Sequence, residues 1–130
     1  MASTTFLRRI LALDSASCAL LGGLLTLDSA ALSPLLGLGE RLLLGAGLLL
    51  LPVAAFIGWL ASRPNPPSLL VWLVIVGNAA WTAESFLLIA MEGGRITPLG
   101  TAFVAGQAAA VLVVALLEYA GLRRIRAAAA

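Results

Sequence analysis

The 130-residue sequence contains no histidine and no lysine, and its one cysteine is Cys18. Without histidine, a single chain cannot form a bis-histidine haem site, a histidine-based zinc site, or a Ser-His or Cys-His catalytic pair. A lone cysteine excludes a disulfide within the chain. We therefore expect no catalytic residues, no cofactor-binding residues and no metal ligands, and we expect that the protein is not an enzyme.

Charge is also scarce, because 11% of the residues are charged whereas 62% are hydrophobic. A soluble domain has about 25% charged and about 45–50% apolar residues. A chain this small exposes too much surface for so few charges to keep it in water. The formal net charge of +2 is too small to hold a nucleic acid. The expected surroundings are therefore a lipid bilayer, and no nucleic-acid partner is expected.

What the sequence does have is four long apolar runs, at about 7–27, 42–61, 69–91 and 99–121. A helix of about 20 residues crosses the roughly 30 Å of hydrocarbon in a bilayer. Turn and helix-start signals separate the runs. They are Ser33-Pro34, with Ser33 as the expected N-cap, a proline-rich turn at 62–67, and Thr97-Pro98. The sequence predicts an all-α fold: one domain over residues 1–130, forming an antiparallel bundle of four transmembrane helices.

The arginines indicate how the bundle is oriented. With four spans, both termini and the middle connection lie on one side of the membrane. That side carries six arginines and the other side has two, Arg41 and Arg95. Positively charged residues collect on the cytoplasmic side. We therefore expect cytoplasmic N- and C-termini and a multi-pass protein of a bacterial inner membrane.

Three acidic residues lie inside the predicted spans: Asp14, Glu84 and Glu118. Ionised groups in a membrane usually face a bundle interior, a water-filled cavity or a partner. At 1.5 Å per residue, Asp14 and Glu118 lie at a similar depth, about 5–10 Å from the arginine-rich end. Three interpretations fit this pair: a structural cluster of ion pairs with the terminal arginines, a proton or cation site that faces the cytoplasm, or simple solvation at the membrane interface.

Glu84 has no arginine within one turn of its own helix, and Gln107 has a similar depth on the fourth helix. The structural expectation is a neutral acid that is hydrogen-bonded to Gln107 or to another subunit. The alternatives are a proton-carrying residue of a transporter, or an ion pair with Arg41 or Arg95.

Polar residues of the third run share one helical stripe at spacing i, i+3, i+4 and i+7: Asn78, Trp81, Thr82 and Ser85. Such a stripe joins neighbouring helices through hydrogen bonds. It could also line a pocket for a small amphipathic ligand or a quinone-like ring.

A shift of 64 residues aligns Asp14 with Asn78 and Ser33-Pro34 with Thr97-Pro98. That alignment indicates two helical hairpins in parallel repeat, as in some transporters.

Short motifs through most of the chain resemble a family. They are LALD at 11–14, LGL at 36–38, GNAAW at 77–81, TPLG at 97–100, QA at 107–108 and GLRR at 121–124. Together they resemble small bacterial integral membrane proteins with four spans, a family without an assigned activity. The resemblance implies an inner-membrane four-helix protein and carries over no catalytic residue.

Two hypotheses for function follow. The first is a non-enzymatic accessory, scaffold or assembly component that packs against copies of itself or against a larger membrane complex. The alternative is a small proton- or cation-coupled transporter that uses Glu84 or Asp14. A transporter requires a water-accessible cavity that reaches one of these acids, and a scaffold requires a defined oligomer or partner.

Overall fold

Residues 2–129 are described by the computed structural model, and most of them lie in helices. The helices are α1 (Ala2–Leu27), α2 (Ser29–Leu36), α3 (Glu40–Ser62), α4 (Ser68–Glu92) and α5 (Pro98–Ala129), with a 3₁₀ turn at Gly93–Arg95. Four of them, α1, α3, α4 and α5, are long and apolar enough to cross a membrane. The predicted all-α four-helix bundle of an integral membrane protein is therefore confirmed. Helix α5 continues past the predicted end because alanine and arginine are strong helix formers.

The first connection contains α2, which the sequence did not predict. Ser33 and Pro34 lie inside this helix, so the prediction that Ser33 caps a helix is wrong. The apolar connection instead folds onto the end of the bundle and buries Leu36. It stops at Gly37, whose φ of 69° is a left-handed conformation that favours glycine. By contrast, Thr97 does cap α5, since its Oγ1 accepts a hydrogen bond from the Gly100 N–H at 2.9 Å.

The spanning helices form a ring in the order α3, α1, α5, α4. Helix α1 packs along both α3 and α5, and α4 packs along α5, whereas α3 and α4 make only brief contact. Helices α1 and α3 come close together at Gly47, where an added Cβ would lie 2.6 Å from Thr26 Oγ1 and 2.9 Å from the Gly22 carbonyl oxygen. Only glycine fits there. The weak contact between α3 and α4 leaves a cleft on that side of the bundle.

Both described ends of the chain lie at the same end of the bundle. The Arg124 guanidinium lies 4.3 Å from the centre of the Phe6 ring, which joins α5 to α1. Arg8 Nε donates a hydrogen bond to the Ala61 carbonyl at 3.0 Å, which joins α1 to the end of α3. This arrangement agrees with an even number of spans. Which side faces the cytoplasm stays a prediction.

Residues that are 64 positions apart meet at two levels of the bundle. Asn78 Nδ2 lies 2.8 Å from Asp14 Oδ2, and Gly100 packs against the Leu36 carbonyl. In a two-fold repeat, equivalent residues touch only near the axis that relates the halves. The diagonal placement of α1 and α4 agrees with such an axis. Duplication itself stays a prediction.

Candidate functional site

The centre of the bundle holds two carboxyl groups bridged by one amide. Asn78 Nδ2 donates to Asp14 Oδ2 and to Glu118 Oε1, each at 2.8 Å. The three side chains come from α1, α4 and α5 and are 3% (Asp14), 8% (Asn78) and 0% (Glu118) exposed. We refer to Asp14, Asn78 and Glu118 as the acid–amide cluster. The similar depth predicted for the two acids is confirmed.

The predicted ion pairs between these acids and the terminal arginines are wrong. Arg8 donates to the Ala61 carbonyl, and Arg123 and Arg124 lie over aromatic rings. Arg95 and Glu92 do form an ion pair, with 3.4 Å between Arg95 Nε and Glu92 Oε2, but they lie at the opposite end of the bundle from these acids. Arginine side chains near a helix end extend towards water and headgroups rather than into the hydrocarbon. The two acids are therefore hydrogen-bonded by the neutral amide of Asn78 and not by an arginine.

The acid–amide cluster is suited to hold and release a proton. An amide NH₂ offers two donors but no charge, so it cannot neutralise two carboxylates. Two ionised carboxylates side by side in a low dielectric repel strongly, and one proton on the pair removes that repulsion. Glu118 Oε2 is buried without a hydrogen-bond partner in the described part of the chain. The Cys18 thiol is a further neighbour, with its Sγ donating to Asp14 Oδ1 at 3.6 Å.

A second polar group joins α4 to α5 at the next level. Trp81 Nε1 donates to Gln107 Oε1 at 2.8 Å. Gln107 Nε2 donates to Ser85 Oγ at 3.0 Å and to the Val104 carbonyl at 2.9 Å. The polar stripe on α4 therefore makes the helix-joining hydrogen bonds that its spacing predicts.

Among residues 2–129, Glu84 forms neither the expected hydrogen bond to Gln107 nor an ion pair with Arg41 or Arg95, while a hydrogen bond to another subunit stays a prediction. Its expected hydrogen bond to Gln107 is wrong, because the Gln107 amide is already occupied by Trp81, Ser85 and Val104. An ion pair with Arg95 is excluded as well, because Arg95 pairs with Glu92. Glu84 is exposed and lies beside the cleft between α3 and α4.

The cleft has a volume of about 730 Å³ and is lined mainly by leucine, valine, alanine and phenylalanine side chains from all four spanning helices. Five of the eight polar residues singled out in the sequence line it: Asp14, Asn78, Trp81, Glu84 and Gln107. Thr82, Ser85 and Glu118 do not. The lining includes two acids and no arginine. The structure therefore brings a large apolar cleft and the acid–amide cluster together.

Sequence reasoning missed Cys18 as part of the site. Cys18 lies four residues after Asp14 on α1, so the two share a helix face. That spacing was the available signal. The bridging position of Asn78 had a weaker signal, the 64-residue shift that aligns it with Asp14.

Comparisons with protein-family models, with curated proteins and with solved structures found no match for this chain. The resemblance to small four-span bacterial membrane proteins therefore stays a prediction. Any function for the site has to be argued from its own geometry.

Proposed function

We propose that the protein is a small proton-coupled carrier that binds hydrophobic organic cations from the bilayer. The observation that supports this is the cleft of about 730 Å³, which is apolar on most of its surface and contains Asp14 and Glu84 without a compensating arginine. The cleft reaches both acids named by the transporter hypothesis, and this supports the proposal.

The size and lining of the cleft favour a drug-sized apolar ligand. Binding pockets for such ligands have volumes of about 300–1,000 Å³ and place a few polar groups among apolar side chains. Trp81 and Phe56 line the cleft, and their aromatic faces attract cations. The opening between α3 and α4 is flanked by exposed residues such as Leu49 and Leu73. A ligand dissolved in the acyl chains can enter from the side.

The coupling follows from charge balance at the acid–amide cluster. With no ligand bound, one proton on the Asp14–Glu118 pair limits the repulsion between the carboxyls. A cation beside Asp14 stabilises the fully ionised pair, so the proton leaves as the cation binds. One positive charge enters the cleft and one leaves it, so the net charge of the pair and its ligand does not change in the low-dielectric interior.

The test uses tetraphenylphosphonium as the probe cation and the purified protein in mild detergent. Isothermal titration in two buffers of different ionisation enthalpy measures the affinity and the number of protons released together. We expect saturable binding with about one proton released per cation. Asp14→Asn should lower the affinity at least tenfold, which corresponds to about 1.4 kcal/mol. Asp28→Asn is the matched control, since Asp28 is exposed and lies outside the cleft.

Wild-type affinity in Asp14→Asn, or binding without proton release, would contradict the proposal. Transport needs a second arm, in which vesicles carrying the protein are given a pH gradient. Vesicles with the wild-type protein should take up radiolabelled tetraphenylphosphonium against its own gradient, whereas vesicles without protein or with Asp14→Asn should not. Vesicles clamped at zero membrane potential exclude passive accumulation of the cation.

An accessory or scaffold role is the second candidate, and one observation favours it. Ala102, Gly106 and Ala110 form a ridge of small residues on α5 that is exposed in the single chain. Small residues at four-residue spacing allow close contact between membrane helices. If this ridge holds copies together, Gly106→Leu should convert a defined oligomer into monomers during size-exclusion chromatography with light scattering. A wild-type monomer would contradict self-association.

A further inference from the structure

A second cavity lies at the arginine-rich end of the bundle, between the start of α4 and the end of α5. Its volume is about 360 Å³. The lining consists of Trp72 from α4 and of α5 side chains: Tyr119, Leu122, Arg123, Arg126 and Ala127. None of these residues lines the cleft between α3 and α4. The cavity is therefore separate from the cleft, and a ligand bound in it would not depend on the proposed carrier function.

The cavity combines two cations with an aromatic pair and has no acid in its lining. The rings of Trp72 and Tyr119 are 5.6 Å apart, and the Arg123 guanidinium carbon lies 5.8 Å from the centre of the Tyr119 ring. Within residues 2–129, neither Arg123 nor Arg126 forms an ion pair. The guanidinium donors of both arginines are therefore available to an anion.

The location of the cavity restricts what that anion is. Six arginines lie at this end of the bundle: Arg8, Arg9, Arg63, Arg123, Arg124 and Arg126. The acids outside the membrane-spanning interior, Asp28, Glu40 and Glu92, all lie at the other end. Tryptophan and tyrosine collect at the level of the lipid headgroups. A cavity at this level meets headgroup phosphates on one side and acyl chains on the other.

We propose that this cavity binds the phosphate group of an anionic phospholipid. Arg123 and Arg126 hold the phosphate oxygens, which match the planar donor groups of arginine. Trp72 and Ala127, which line the cavity and keep exposed surface, contact the glycerol and the first methylenes of the acyl chains. Arginines between transmembrane helices are a recognised way to hold acidic lipid headgroups.

Other arginines at the same end lack this combination of features. Arg63 lies over the Trp59 ring at 5.5 Å, but neither residue lines this cavity or the cleft between α3 and α4. Arg8 is committed to the Ala61 carbonyl, and Arg124 lies over Phe6. Arg63 therefore provides a matched control: an arginine beside an aromatic ring at the same end of the bundle, outside this cavity.

The test is native mass spectrometry of the protein in detergent. It is titrated separately with phosphatidylglycerol and with phosphatidylcholine of the same acyl chains. We expect wild-type protein to bind phosphatidylglycerol in preference to phosphatidylcholine. Arg123→Gln/Arg126→Gln should lower the affinity for phosphatidylglycerol by roughly tenfold to thirtyfold, and Arg63→Gln should leave it unchanged within about twofold. Arg123→Lys/Arg126→Lys keeps the charge and should retain most of the preference, which separates loss of the site from loss of folding.

Three outcomes would overturn the proposal. The first is equal affinity of the wild type for the two lipids. The second is an equal loss of affinity in Arg63→Gln and in the double glutamine variant, because the effect would then be one of net charge at that end. The third concerns the source of the phosphate. If inorganic phosphate displaces phosphatidylglycerol at a concentration at or below that of the lipid, the ligand is a free anion rather than a lipid.

Discussion

Asn78 and Asp14 are joined by a 2.8 Å hydrogen bond across the diagonal of the bundle. Their helices, α4 and α1, do not pack against each other over their described lengths. The same Asn78 nitrogen also donates to Glu118 on α5. One neutral side chain therefore connects three spanning helices at the level of the cleft, and it supplies the donors for two buried acids.

Removal of this amide should weaken the whole bundle. In Asn78→Ala, both acids lose a donor and stay in the low-dielectric interior. We expect the free energy of unfolding, measured by titration with dodecyl sulfate, to fall by about 1–3 kcal/mol. Asn65→Ala is the control, because Asn65 is exposed in the connection between α3 and α4. Equal stability of the two variants would mean that the cluster contributes nothing to the fold.

Asp14 and Asn78 are equivalent positions under the 64-residue shift and are in contact, as expected near a two-fold axis relating the two halves of the bundle. This relationship predicts that the two residues can be exchanged. Asn78→Asp alone gathers three acids and removes the bridging amide, so it should destabilise the bundle more than Asn78→Ala. Adding Asp14→Asn returns one amide and two acids to the cluster. We expect the double variant to recover at least half of the stability lost in Asn78→Asp, measured in the same titration. A double variant as unstable as the sum of the two single variants would exclude an interchangeable arrangement.

The fold was predictable from the sequence because membrane-length apolar runs determine a helix by length alone. The position of Glu84 was not. Residue spacing gives depth along α4, and the polar stripe from Asn78 to Ser85 marks the face that is turned inwards. Glu84 lies off that stripe, and spacing alone does not show whether its side of the helix meets a neighbour, a cleft or lipid. Asn78 is buried and Glu84 is exposed, although both lie in the middle of the same helix. The cleft was equally hidden, since it depends on which helices become neighbours.

Cys18 provides a native reporter for the cleft, because it is the only cysteine and it lines the cavity. A hydrophobic maleimide should label it slowly in the folded protein. A saturating concentration of tetraphenylphosphonium should slow the labelling further, since the bound cation covers the thiol. Mass spectrometry of the intact protein measures the rate, and Cys18→Ala gives the background. A labelling rate that does not change while the binding site is full would place the ligand elsewhere.

The affinity for a hydrophobic cation should rise with pH. Proton and cation compete for the Asp14–Glu118 pair, and lowering the proton concentration favours the cation. The ionisable neighbours that face this pair are Cys18 on α1 and, further along the cleft, Glu84 on α4. We expect the pH dependence to vanish in Asp14→Asn and to persist in Glu84→Gln. Triphenylphosphine oxide, a neutral aromatic ligand, should show no such dependence. If the pH dependence is lost in Glu84→Gln but persists in Asp14→Asn, the proton is exchanged at Glu84 and not at the Asp14–Glu118 pair.

The contact between α1 and α3 at Gly47 predicts a position-specific effect of adding one methyl group. In Gly47→Ala, the new Cβ would lie 2.7 Å from the Thr26 backbone nitrogen and 2.9 Å from the Gly22 carbonyl, so the two helices must separate. We expect a loss of about 1–3 kcal/mol in the free energy of unfolding. Gly45→Ala, two residues earlier on α3, meets no atom within 4 Å. Because alanine favours helix over glycine, that variant should be neutral or up to about 1 kcal/mol more stable. If the two variants lose stability equally, the close approach of α1 and α3 is not what requires glycine at residue 47.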